Sequence, residues 1–197
     1  MSESGDERFG HVLESIKSGT GAELQQACEG LILGWREAPV HQLLALKKQL
    51  ERLGLEQRES MLEEALISVA EKRPEPFLEL AADPSGPLWD QAVEVLSMLA
   101  DPSVLELLLP LEDKCTDKEL PAFVRALGNF NDSRALEVLQ RFLRSNEDHM
   151  FIEALMALRR AGGPAALAHI KAALMQRGNS VAASSEILKA VIAELGG

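Results

Sequence analysis

Leu96, Leu127 and Leu158 stand 31 residues apart, and the same step holds for a whole set of positions. Leu105, Leu136 and Leu167 obey it, as do Leu108, Leu139 and Ile170, Val104, Ala135 and Ala166, and Leu111, Phe142 and Ala173. The break inside each unit keeps the same phase, with Asp101-Pro102 answering Asp132-Ser133 and Gly163-Pro164. Within the period, apolar residues return every three or four positions, which is the spacing of a helix face. Each period therefore holds a helix pair that cannot bury its apolar side alone and must stack on its neighbours. Asp101 and Asp132 stand where a carboxylate caps the N–H groups opening a second helix, and Pro102 where a first-turn proline is tolerated. Gly162-Gly163 supplies the same turn through backbone freedom.

Read along the whole chain, this periodicity predicts about twelve helices and no sheet. Their spans are Glu7–Ser18, Gly21–Leu33, Val40–Leu53, Gln57–Lys72, Pro74–Ala82, Pro87–Ala100, Ser103–Lys114, Lys118–Phe130, Ser133–Arg144, Asp148–Ala161, Ala165–Gln176 and Val181–Leu195. The composition agrees, with 46% hydrophobic and 26% charged residues but only 4% aromatic and no Tyr, a balance that favours helix over strand. The expected organisation is a frayed segment 1–6 and one repeat domain over 7–197, clearest at 87–177. Val181–Leu195 carries Ile187, Leu188, Val191, Ile192 and Leu195 at helical spacing and is expected to cap the stack. Pairing of that helix with a second copy is the alternative, so a homodimer is not the expectation.

One stretch carries a family resemblance. Ala126-Leu127-Gly128-Asn129-Phe130-Asn131-Asp132-Ser133-Arg134-Ala135-Leu136 resembles the HEAT-like repeat first described in phycobilisome lyases. The periods around Leu96 and Leu158 match it more loosely, 57–82 reads as a degenerate repeat, and the first fifty residues are only generically helical. The resemblance implies an all-α superhelix, a right-handed stack of antiparallel pairs whose second helices line a concave face. Functions in that family range over chromophore attachment, enzyme regulation and scaffolding, so the fold alone assigns none of them. Its iron-binding hydroxylase members use paired His-Glu dipeptides, and none of His11, His41, His149 or His169 is followed by Glu.

Several classes of function fall away on charge and motif. A formal charge of −11 opposes a phosphate-tracking surface, and the scarcity of aromatics removes the stacking platforms of single-strand binders, so nucleic acid is not the expected partner. The opening residues lack a secretory signal and no run reaches the eighteen or so apolar residues of a span, so a cytoplasmic protein with no membrane association is expected. Cys28 and Cys115 lie far apart and outside any CxxC pattern; packed, reduced thiols are expected, with no zinc site. No phosphate-binding, dinucleotide, metalloprotease or nucleophile-elbow motif occurs. Glu63-Glu64 and Glu75 with Glu79 read as a solvated face. Trp89 reads as packing, and Trp35, after Gly34 and before Pro39, as the more exposed of the two tryptophans.

What remains is the outer side of each second helix, found by subtracting the core positions 104, 105, 108 and 111 and their equivalents. It holds Glu106, Leu109 and Asp113, then Glu137, Gln140, Arg141 and Arg144, then His169 and Lys171. Arg141, Arg144 and Lys171 form a small cationic patch in an acidic chain, suited to carboxylates or phosphates on a partner. The bland reading is a set of solubilising charges. The expectation is a non-catalytic binding module or scaffold for another protein, with no cofactor. The alternative is a subunit of an enzyme, such as a bilin-lyase-like chromophore-attachment factor.

Overall fold

The computed structural model describes residues 5–177, and every one of the eleven expected helices that falls in that range is present. The twelfth, Val181–Leu195, lies outside the described residues. No strand occurs among the described residues. The chain divides into two compact units, Met1–Leu99 and Ala100–Gly197.

The first unit contains α1 (Gly5–Ser18), α2 (Gly21–Leu33), α3 (Val40–Arg52), α4 (Glu56–Lys72), α5 (Glu75–Ala81) and α6 (Trp89–Met98), with a short 3₁₀ turn at Trp35–Glu37. Long α4 is the hub, packing against α1, α2, α3 and α6 through Leu62, Ala65, Leu66 and Val69. Thr20 opens α2 with a reciprocal cap: its hydroxyl accepts from the Glu23 N–H at 3.4 Å, and its own N–H donates to the Glu23 carboxylate at 2.6 Å. Two orphan donors are satisfied at once. Trp89 is buried, and its indole N–H donates to the Ala81 carbonyl at 3.0 Å, which ties α6 to the end of α5. Trp35 is half-buried with the Arg36 guanidinium 4.6 Å above its ring.

The second unit contains α7 (Pro102–Leu108), a 3₁₀ continuation over Leu109–Lys114, α8 (Leu120–Leu127), α9 (Ser133–Phe142), α10 (Asp148–Ala161) and α11 (Gly163–Arg177). Here α10 is central, touching α8, α9 and α11. The 31-step positions form the core: Val104, Leu105, Leu108, Leu111, Ala135, Leu136, Leu139, Ala166 and Ile170 are buried, as are Leu127 and Leu158. Full burial of one such leucine contributes about 1.5–3 kcal/mol. Leu167 departs from the pattern at 38% exposure, and Phe142 and Ala173, the counterparts of Leu111, are only half-buried.

Caps and turns recur with the same period. Asp101 accepts the Ser103 N–H at 2.8 Å and Asp132 the Arg134 N–H at 2.9 Å. The Ser103 N–H holds the Asp101 carboxyl below its ordinary range, and for Asp132 the Arg134 side chain does so first, followed by the Arg134 N–H. A carboxyl depressed in the folded state favours folding above its unfolded pKa, and that contribution is lost as pH falls through its folded value. Both caps are therefore complete at neutral pH.

The residue closing α10 is Gly162, at φ 69°, and the one 62 positions earlier, following α6, is Ala100 at φ 50°. A side chain in the left-handed region costs about 1–2 kcal/mol, and glycine avoids it. Ala100→Gly is expected to raise stability by about 0.5 kcal/mol after the extra chain entropy of glycine is set against the strain. Urea unfolding of the full chain checks this, with a shift of the midpoint to higher urea as the expected outcome.

Candidate protein-binding face

Subtracting the buried residues of α7, α9 and α11 leaves the outer sides of these second helices. Glu106, Asp113, Glu137, Arg141, Arg144 and Lys171 are exposed, while Leu109, Gln140 and His169 are half-buried. All nine belong to the second unit. On α9, Glu137 and Arg141 are one turn apart and share a side, and Arg144 lies in the turn just past the helix end. α11 packs beside α9, which sets Lys171, the 31-step equivalent of Gln140, on the neighbouring helix.

Not all of these charges are free. Arg141 forms an ion pair with Glu112, and Glu106 pairs with Arg134 at 2.5 Å. Arg134 also grips Asp132 at 3.1 Å, and these two carboxylates raise its guanidinium further above its already high value. A third pair, Arg125 with Glu153 at 3.4 Å, joins α8 to α10. The partners that join successive repeats are 28 or 29 residues apart, slightly less than the period, so each links a residue of one repeat to one just short of its counterpart in the next. Exposed pairs of this kind contribute about 0–1 kcal/mol each. They fix side-chain positions more than they stabilise. Arg134 is the member of this face that the sequence reading misses; an opposite charge slightly less than one period away is the signal that finds it. Among the described residues, Arg144 and Lys171 have no acidic partner.

The charge is unevenly divided. Met1–Leu99 carries 18 acidic and 9 basic residues, and Ala100–Gly197 carries 13 and 11. The near-neutral second unit is thus the part of the molecule on which an acidic partner meets least repulsion.

The densest polar cluster lies in the first unit. Lys47 of α3 is 1% exposed and sits within 2.7 Å of Glu59, 3.1 Å of Glu63 and 2.8 Å of Glu94. Burial alone pulls its ammonium pKa down, but Glu94, Glu59 and Glu63 outweigh it and leave the pKa above the ordinary lysine value. Beside it Lys48 meets Asp90 at 2.9 Å, and the Gln91 amide donates to Glu51 at 3.1 Å. Glu63, expected on a solvated face with Glu64, instead turns to Lys47. An ammonium that donates to three carboxylates holds its protons and has no free lone pair, and the cluster ties α3, α4 and α6 together.

Both cysteines are free, Cys28 buried and Cys115 half-buried. Burial first, then Glu64 for Cys28 and Glu119 with Glu112 for Cys115, pushes each thiol up to about 11. Such thiols stay protonated at neutral pH and are weak nucleophiles. Among the described residues no group of His, Cys, Asp and Glu is arranged to hold a metal ion, and no helix is long and apolar enough to cross a membrane.

Compared with known families, residues 122–145 match the PBS lyase HEAT-like repeat. A search of curated proteins found no match to the chain. The matched segment runs from α8 through the Asp132 cap into α9, and so includes the charged side just described.

Proposed function

We propose that this HEAT-like helical-repeat protein is a non-catalytic binding module that holds another protein along the outer side of its second helices. The observation that carries the reading is the periodic split on α7, α9 and α11. One side buries most of the 31-step apolar positions, and the other presents charged residues at fixed spacing, two cations among them having no acidic partner among the described residues. A stack of helix pairs held by core packing and repeat-to-repeat ion pairs is rigid at this face, and a rigid face binds with little ordering cost. Arg144 and Lys171 then supply direction, since charge arrangement sets partner choice and encounter rate more than bulk affinity. The scarcity of aromatic residues, 4% with no Tyr, weighs against the lyase-like alternative, which needs a lined pocket to hold a pigment.

Reversal of the cations tests this. Tagged full-length chain would be used to capture a stoichiometric partner from native lysate at low salt, with Arg144→Glu and Arg141→Glu/Arg144→Glu as controls. Arg144→Glu is expected to weaken the complex at least tenfold with helicity and melting temperature unchanged. The double variant is expected to weaken it further and to lower the melting temperature slightly, because Glu at 141 would face Glu112. Equal recovery by all three proteins rejects the surface. Covalent visible absorbance after incubation with a bilin would instead favour the lyase reading.

A further inference from the structure

The solvent sides of successive second helices are not alike. Stepping by 31 from α9 to α11 turns Arg134 into Ala165, Glu137 into Ala168, Arg141 into Ala172 and Arg144 into Met175, while Gln140 becomes Lys171. Ala165, Ala168, Lys171, Ala172 and Met175 are all exposed, Met175 at 85% and Leu167 beside them at 38%. Positions 165, 168, 172 and 175 follow helical spacing and share one side. A helix side facing water ordinarily carries charge, as α9 does; on α11 Lys171 is the one charged residue of this row.

The α11 stretch itself is poor in carboxylates, although Glu137 on the neighbouring α9 is exposed beside it. From Ala154 to Arg177 there is no Asp or Glu, in a chain that holds 31 of them, whereas Arg159, Arg160, Lys171 and Arg177 fall in the same stretch. The row is apolar at its centre, with Lys171 on one flank and Arg144, just past the end of the neighbouring α9, near its Met175 end.

We infer that the outer side of α11 is the anchoring part of the partner-binding face, and that its occupant is an amphipathic helix of a partner protein with carboxylates beside its apolar stripe. The inference rests on the protein-binding reading above and specifies its partner. Alanines at 165, 168 and 172 let a second helix approach at the short end of the usual 8–10 Å interaxial range. Met175 is an adaptable apolar contact at one end of the row. Arg144 and Lys171 lie where carboxylates flanking the partner's apolar stripe would pair with them, and Arg is suited to bidentate contact. A basic helix would meet these cations with like charge. A nucleic acid would find too few cations for strong phosphate neutralisation.

The test is selection from a display library of helical 16-residue peptides on the intact chain, beside Ala168→Glu/Ala172→Glu. Exposed alanine-to-glutamate changes on a helix leave folding intact, which circular dichroism verifies. The expected result is enrichment of peptides with apolar residues at i, i+3, i+4 and i+7 and with Asp or Glu next to that stripe. Their binding is expected to fall at least tenfold on the double variant and severalfold on Lys171→Glu. Enrichment of basic peptides, equal binding to the variant, or no enrichment would overturn the inference; no enrichment is also what cover by residues 178–197 would produce. Co-sedimentation with phosphatidylserine vesicles that is lost in the double variant would likewise overturn it, by making the row a lipid surface. If the native complex stays sensitive to Arg144→Glu while the peptide result fails, the protein-binding reading stands and only the acidic-helix occupant falls.

Discussion

Lys47→Met is expected to destabilise the protein by about 3 kcal/mol at pH 7, the lower end of what breaking a buried ion pair from one side costs. Methionine keeps most of the volume but leaves Glu59, Glu63 and Glu94 gathered around an uncharged side chain. These carboxylates are between 20% and 38% exposed, so solvent screens part of their repulsion and the upper end of the range is not reached. The loss should depend on pH. Burial first, and then the neighbouring Glu94 and Glu59, already hold the Glu63 carboxyl above its ordinary value despite the attraction of Lys47. A carboxyl raised in the folded state favours folding below its unfolded pKa, and that contribution is lost as pH rises through the folded value. Without the ammonium the carboxyls shift further in the same direction. The gap between wild type and variant is therefore expected to be smaller at pH 4.5 than at pH 7 in urea unfolding, and Lys47→Met/Glu63→Gln is expected to recover part of the loss at pH 7. A gap independent of pH would mean that Lys47 acts through packing alone.

Gly128→Ala carries the second large effect, and its sign is the informative part. In a helix or at its end, alanine in place of glycine ordinarily stabilises by about 0.5–1 kcal/mol. Gly10 of α1 and Gly30 of α2 have open space where a Cβ would go, and substitution there should show that gain. At Gly128 the added Cβ would lie 2.7 Å from the Ala157 Cα, 2.8 Å from its carbonyl oxygen and 2.9 Å from its Cβ. Backbone atoms of α10 cannot rotate away, so α8 and α10 must separate. Overpacking of this kind costs about 1–3 kcal/mol and occasionally more. A net loss of about 3 kcal/mol is expected, or roughly 6–12 °C in melting temperature for a chain of this size. Thermal unfolding followed by circular dichroism at 222 nm, with Gly30→Ala alongside, checks both signs; a stabilised Gly128→Ala would contradict the close approach.

The helices were legible because a three-to-four-residue apolar spacing has few other meanings, and the period placed Leu105, Leu136 and Leu127 in the core for the same reason. Asp101 and Asp132 were legible as caps from the turns they precede. The Lys47 cluster was not. A single lysine among Leu43, Leu44, Leu46 and Leu50 reads as a long side chain reaching out to water, and its partners lie on α4 and α6, in a region where no clear period relates the helices. Glu63 was misread for the same cause. Gly128 falls inside the expected span Lys118–Phe130, whereas α8 ends at Leu127, and the contact of Gly128 with Ala157 depends on how closely two first helices approach, which sequence spacing does not specify. The cationic patch was legible as a set of positions. That Glu112 neutralises Arg141 was hidden, because the partner belongs to the preceding repeat and sits at a half-buried position between the chosen ones.

On the proposed reading, a partner is held on the second-helix side of the second unit. Hydrogen exchange read by mass spectrometry, on the chain alone and bound to its captured partner, tests this most directly, because complex formation slows exchange where a surface is covered or ordered. Added protection is expected to concentrate in peptides spanning 133–144 and 163–177, and to be lost in Arg144→Glu. Protection confined to peptides from the first unit, with 133–177 unchanged, would contradict it.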